Sequence, residues 1–319
     1  MRGDVVLAGR GEQPHGDGDR PATPGPPVLD PVLDLVLDPD VWRERERRHA
    51  ERAAALTGRA AERRARGEAH PVEDFLYTYY SWAPGKLLRW HPGVGVVLAG
   101  ADERAGWANY ETVPGGVRVD AAGLVSRRRA TVRLARDVLV ATRGRAPQLA
   151  CFGLHEWAMV HRTRPEEVRH AGLPLRLGHE GTDAVVDSHR IRCTHHDAFR
   201  FFTPTAVPLN EVQPTRQDQA AQEQPGCLHA TMDLYRWAMK LSPAVPGELL
   251  LDCFELAGDV RVLDMRASPY DVSSLGLDPV RIETAEGKAQ YARAQREFAQ
   301  RADPLRAALA GVCEALLRA

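Results

Sequence analysis

The sequence predicts a mainly α fold with a few short β-strands (α+β), built as one compact domain over residues 38–319. Three observations predict it. Apolar residues recur at helical spacing through long stretches, notably Ala121–Arg143 and Cys227–Leu241. β-branched runs bounded by glycine are few and short, as at Val94–Ala99 and Gly116–Val119. No internal repeat is present. At 319 residues, 44% of them apolar, the chain is long enough for one large core. The pattern does not predict the topology.

Charge and cysteine usage exclude several function classes. A net charge of −1 gives no general attraction to nucleic acid or to a membrane surface. Any polyanion would have to meet a local patch. Five cysteines with no close pair argue against a disulfide framework and for a cytoplasmic location. No apolar run reaches the roughly 20 residues that a membrane span needs, so no membrane partner is expected.

Along the chain, residues 1–37 read as a disordered or loosely ordered leader. Its glycines, prolines and charges lack a periodic apolar face to offset the entropy of ordering. Asp40 is placed to cap a helix over Val41–Arg66, where nine arginines accompany four glutamates. Pro71, Glu73 and Asp74 suit the first turn of a helix over His70–Trp82. Its tyrosines, Tyr79 and Tyr80 among them, either pack in the core or line a pocket for a planar ligand. The two β-branched runs are expected to pair, with Pro114-Gly115-Gly116 as a turn. The helix over Ala121–Arg143 carries Arg127, Arg128 and Arg133 on its polar face, the most basic in the chain. Those three are the candidate contacts to a phosphate backbone, against the plainer reading of a solvated face. Thr182 or Asp183 is expected to cap a short helix, and Val280–Glu283 to form a short strand. Pro225-Gly226 breaks the chain before Cys227–Leu241. Thr284, with Gly287 nearby, opens a last helix that runs past Pro304 to Arg318.

Chemistry concentrates in His189–Pro204. These residues hold three histidines, three arginines, one carboxylate, one thiol and three phenylalanines. Solvation alone or core packing alone does not account for such crowding. Its complements are Cys151–Trp157, where His155 and Glu156 interrupt apolar sequence, and Glu223–Asp233, where His229 and Asp233 share a helix face. Burying Glu156 without a partner is expensive, so it is paired or functional. His161, beside Arg162 and Arg164, is expected to be exposed. The catalytic candidates are Asp197 as the chemical centre, Glu156 and His195. The substrate-binding candidates are His155, His189, Arg200, Phe202, His229, Asp233, Tyr79 and Tyr80.

Two chemistries fit these residues. One is metal-free acid–base or electrostatic catalysis, with arginines fixing an anionic group. The other is a divalent metal held by His155, His195, His229 and Asp197, acting on a small anionic substrate. His195 and His196 are adjacent and point apart, so both do not serve one ion. Met159 stands where a zincin helix would need its second histidine. A polar core network in a binding protein without catalysis is the third reading.

Several segments carry a resemblance: His70–Ser81, Arg89–Gly93, Cys151–Trp157, His195–Phe202 and Glu223–His229. Together they resemble an actinobacterial protein family whose members commonly carry the name 3-methyladenine DNA glycosylase. The resemblance covers nearly everything from about residue 38 onward. It implies a hydrolase of base-excision repair that needs no cofactor and acts on alkylated double-stranded DNA. Such an enzyme flips a base out, stacks it on aromatics and cleaves the N-glycosidic bond. His91-Pro92-Gly93-Val94-Gly95 is superficially similar to the hairpin of helix-hairpin-helix glycosylases. Here a strand pattern follows it, where that motif has a helix.

Overall fold

The computed structural model describes residues 35–168, 170 and 172–319. Among these residues the fold is mainly α with one small sheet. Strand β1 is Leu35–Leu37, followed by α1 (Pro39–Ala65), α2 (Phe75–Tyr79) and α3 (Pro84–Leu87). Strands β2 (Val96–Leu98), β3 (Tyr110–Val113) and β4 (Gly116–Val119) come next. Helices then take over: α4 (Ala121–Arg143), α5 (Leu154–Ala158), α6 (Gly178–Asp187), α7 (His196–Phe199) and α8 (Gln219–Gln222). Three long ones close the chain: α9 (Leu228–Leu241), α10 (Gly247–Ala267) and α11 (Ala285–Arg318).

Four helices, α4, α9, α10 and α11, form the body. α11 packs along α4, α9 packs along α10, and α11 also touches both α9 and α10. The sheet lies to one side in the order β1-β2-β4-β3, with β1 parallel to β2 and the other pairs antiparallel. One large apolar cluster runs from Leu37 and Trp42 through Trp157 and Tyr235 to Leu316.

Local chemistry explains the main elements. In α1, Pro39 occupies the first turn and needs no amide partner there. Its buried stripe is Trp42, His49, Ala53, Thr57 and Ala60, one helix face. Its solvent face pairs Glu44 with Arg47 and Arg48, and Arg47 with Glu51. In α4 the Asp120 carboxylate accepts from the Gly123 amide, and Arg128 interrupts the helical backbone. In α11 the Thr284 hydroxyl accepts from the Gly287 amide, as its position predicts, and Pro304 lies inside the helix.

Several expectations need correction. Residues 1–34 of the expected leader lie outside the described residues. Leu35–Leu37 is a strand, because its backbone pairs with β2 and Leu37 is buried. The first helix begins at Pro39 behind Asp38, which leaves Asp40 inside its first turn. The His70–Trp82 helix shrinks to α2. The His70 ring accepts from the amides of Val72 and Glu73, and Asp74 accepts from the His70 amide, so a side-chain-bonded turn replaces the first helical turn. β2 does pair with β4, yet the tight hairpin is β3–β4 around Pro114-Gly115. Thr182 and Asp183 lie within α6. Thr182 bonds back to the Gly178 carbonyl and Asp183 accepts from the Arg162 amide. Val280–Glu283 is no strand, since Val280 and Ile282 are buried side chains in a turn leading to α11.

Candidate functional site

The site is built where α9 and α10 run side by side. α9 turns His229, Asp233 and Arg236 inward, and α10 does the same with Arg261 and Asp264. α5 supplies His155 and Glu156. It is aimed by two successive left-handed residues, Phe152 (φ 45°) and Gly153 (φ 73°), and pinned by the Trp157 indole donating to the Ala267 carbonyl at 2.8 Å. A bulky residue held at positive φ costs energy that the surrounding packing must offset. The segment around α7 brings His195 and Asp197, and the link before α9 brings Glu223.

Two buried polar networks result. In the first, His155 Nε2 lies 2.9 Å from Asp264 Oδ1. Arg261 Nη1 reaches Asp264 Oδ2 and Glu156 Oε1, both at 3.1 Å. The Arg261 guanidinium also stacks on Phe75 at 3.9 Å. In the second, His195 Nε2 lies 3.0 Å from Asp233 Oδ2 and 3.3 Å from Glu223 Oε1. Arg236 Nη2 reaches Asp233 at 2.6 Å, the Tyr80 hydroxyl donates to Asp233 at 2.9 Å, and Gln219 donates to Glu223.

His229 stands between the networks. Its ring centroid is 4.4 Å from that of His155 and 5.3 Å from that of His195. Among the described residues neither of its nitrogens has a hydrogen-bond partner.

Burial and charge push these groups apart. Burial and the two neighbouring imidazoles hold His229 well below the usual histidine range, despite the opposing carboxylates. Burial would also lower His155 and His195. The carboxylates facing them, Asp264 for one and Asp233 with Glu223 for the other, outweigh it and raise both. Burial raises Glu156, with the Asp264 charge adding to it, and burial raises Glu223. Burial alone would raise Asp264 and Asp233 as well. His155 dominates at Asp264, and Arg236 with His195 dominates at Asp233, so both are held well below the usual carboxylate range.

Two cavities flank His229. A cleft is walled by Phe75, Tyr79 and Phe201, and Glu156, Asp197, Arg261 and His229 face it. Its interior leaves room for little more than a water molecule. Behind it, Cys151, Cys193 and Cys227 line a second cavity of similar size with His155 and His229. Three cysteines far apart in sequence therefore meet, and burial raises all three thiols.

The candidate residues fall into four places. His155, Glu156, His195, His229 and Asp233 lie in the networks, with Tyr80 bonded to Asp233. Tyr79 is a cleft wall, stacked 5.0 Å from Phe75. Asp197 shares the cleft with Glu156 and His229 but is not the centre of the hydrogen bonding. It pairs with Arg236, with Arg200 at 3.3 Å and with Arg216 at 3.9 Å. His195 supports Asp233 and Glu223 rather than Asp197. The metal set of His155, His195, His229 and Asp197 is likewise divided, because the close groupings are His155, His229 and Asp264 in one and His195, Glu223 and Asp233 in the other.

The rest lie apart. His189 bonds to the Val185 carbonyl at 2.7 Å, and Phe202 packs against Phe199 in the core. His196 turns away from His195 to the Pro214 carbonyl. His161 is buried between Asp187 and Thr205, contrary to the expected exposure. Arg127, Arg128 and Arg133 are exposed on α4, which contributes no residue to either cavity. Arg127 bonds Asn109, and Arg128 bonds the Lys240 carbonyl. Four charged members of the networks were not among the candidates: Glu223, Arg236, Arg261 and Asp264. Their signal was present, as charged residues at inward positions of otherwise apolar segments.

No family model, curated protein or solved structure matches the chain. Among the described residues no helix is long and apolar enough to cross a membrane.

Proposed function

We propose that the protein is a hydrolase working in the aromatic-walled cleft, and that its reaction is cleavage of the N-glycosidic bond of an alkylated purine such as 3-methyladenine in DNA. One observation carries this reading: the carboxylates of Glu156 and Asp197 share a cleft with the rings of Phe75, Tyr79 and Phe201. Aromatic faces attract a cationic alkylated base. Carboxylates stabilise the oxocarbenium-like state left when the base departs. Arg261 and Arg236 already share the charge of these two acids, so they suit electrostatic stabilisation better than nucleophilic attack. A purine enters only if Tyr79 and Phe201 swing outward, because the cleft is closed down to water size.

A second reading is a small anionic substrate in the same cleft. It is favoured by Arg261, whose Nε and Nη2 are buried without partners, and by the distance in sequence and packing between the α4 arginines and the cleft. One assay separates the two. Methylated duplex DNA is incubated with micromolar protein and released bases are resolved by chromatography. The glycosylase reading expects free 3-methyladenine, reduced about 10²–10⁴-fold in folded Asp197→Asn and Glu156→Gln variants. No released base, or release by both folded variants equal to that of the wild type, removes it and leaves the small-molecule reading.

A further inference from the structure

We infer that His155, His229 and Asp264 form a binding site for a divalent transition-metal ion, independently of which substrate the cleft accepts. One ring nitrogen from each histidine and one carboxylate oxygen of Asp264 lie within 4.8 Å of one another. The three residues are 4%, 8% and 0% exposed, so water does not compete freely for their donor atoms. Two imidazoles and one carboxylate are the donor set of zinc and its first-row neighbours, whereas magnesium and calcium prefer oxygen throughout.

His229 is the observation that points to a ligand. His229 is 8% exposed, its ring nitrogens have no protein partner among the described residues, and it faces cavity space about the size of a water or an ion. Polar groups in a folded core are rarely left so. Its neighbours are the two other imidazoles and the two cavities, and a bound cation satisfies it where no protein donor does.

The surroundings fit a cation rather than oppose it. Arg261 is a fixed positive charge bonded to Asp264, and its Nη1 is divided between Glu156 and Asp264. The Asp264 carboxylate is the negative charge that the ion meets once it displaces the proton shared with His155. Arg261 holds Asp264 Oδ2 and leaves Oδ1, now shared with His155, facing the site. A ligating carboxylate steadied by an outer hydrogen-bond partner is a common feature of protein metal sites. Three protein donors beside a cleft leave a coordination position for water or substrate, the arrangement of catalytic rather than structural sites. The second grouping lacks this opening. Asp233 and Glu223 already accept from Tyr80, Arg236 and Gln219 as well as His195, and among the described residues no member of it lines either cavity.

The test uses the full chain purified without a tag and dialysed against metal-free buffer. Zinc or cobalt(II) is then added and bound metal is counted by elemental analysis. The expected result is about one ion per chain. Cobalt should give a visible ligand-field spectrum of low coordination number, and zinc should raise the thermal midpoint of unfolding. His229→Gln, close in size and still polar, should weaken binding by about 100-fold or more, whereas His195→Gln should leave the stoichiometry unchanged. Substoichiometric metal in the wild-type chain after supplementation overturns the inference, whatever the variants do. So does binding that survives His229→Gln and is lost in a folded His195→Gln, which would assign the ion to the other grouping. Neither result bears on base release from DNA, so this inference and the glycosylase reading fail separately.

Discussion

Asp233 is the acid on which most of the second network converges. It accepts from Tyr80, His195 and Arg236 and is only 2% exposed. Removing one member of a buried charged set strands the others, typically at about 3–5 kcal/mol. Tyr80→Phe instead removes one hydroxyl donor and keeps the ring contacts with Tyr79 and Tyr235, at about 1 kcal/mol. Asp233→Asn should therefore lower the urea midpoint far more than Tyr80→Phe. Because the two residues touch, the double variant should cost less than the sum. Equal midpoints for the single variants would mean that Arg236 finds enough compensation in Asp197 alone. At this scale the sequence showed only half of each pairing. The four-residue spacing of His229 and Asp233 put both on one inward face. Their partners lie elsewhere in the chain: Asp264 is 109 positions from His155, and Asp233 is 38 from His195. Periodicity says that a charge is buried. It does not say which opposite charge meets it.

Helix starts were legible where a side chain states them, and Gly287 shows how much geometry can lie behind one. Gly→Ala within a helix ordinarily stabilises by about 0.5–1 kcal/mol. At Gly287 an added methyl would fall 1.8 Å from the Arg281 carbonyl oxygen, inside the turn that Thr284 caps. The clash outweighs propensity, because backbone on both sides must move. Gly287→Ala should destabilise by about 1–3 kcal/mol, read as a fall in the thermal midpoint, while Gly258→Ala in α10, with open space around it, should not. A rise for Gly287→Ala would show that the start of α11 yields easily. The elements missed were those too short for periodicity to register. β1 has three residues and exists because β2 offers it a parallel edge. β3 has four residues of which Tyr110 alone is buried, so no period-two pattern registers. α2 lost its first turn to hydrogen bonds made by His70 and Asp74, a competition that helix propensity does not describe.

At the level of the whole molecule, the fold class followed from composition and periodicity, while topology and the meeting of three cysteines depended on long-range packing. pH response is also a property of the whole, because buried groups of opposite tendency add. His91 and His49 lie away from the site, near α1 and the sheet. Burial lowers both, and His91 is brought down to about 3. His91 Nδ1 is hydrogen-bonded to the Tyr110 hydroxyl at 2.8 Å. In the unfolded chain these rings take up protons near pH 6.5. Between about 6.5 and about 3 the unfolded state therefore binds more protons at His91 than the folded state does. The resulting contribution is present in full above the unfolded value and is lost as pH falls towards the folded one. The raised histidines, His155 and His195, act in the opposite direction, favouring the fold below their unfolded value and losing that contribution as pH rises through the folded one. His91→Gln keeps a polar group near Tyr110 but cannot titrate. Urea unfolding of wild type and His91→Gln, compared at about pH 7 and about pH 4, should show the wild type losing on the order of 2 kcal/mol more over that interval. Parallel losses would mean that His91 takes up its proton in the fold almost as readily as in the open chain, so that the packing of Trp107 and Tyr110 around it does not exclude water.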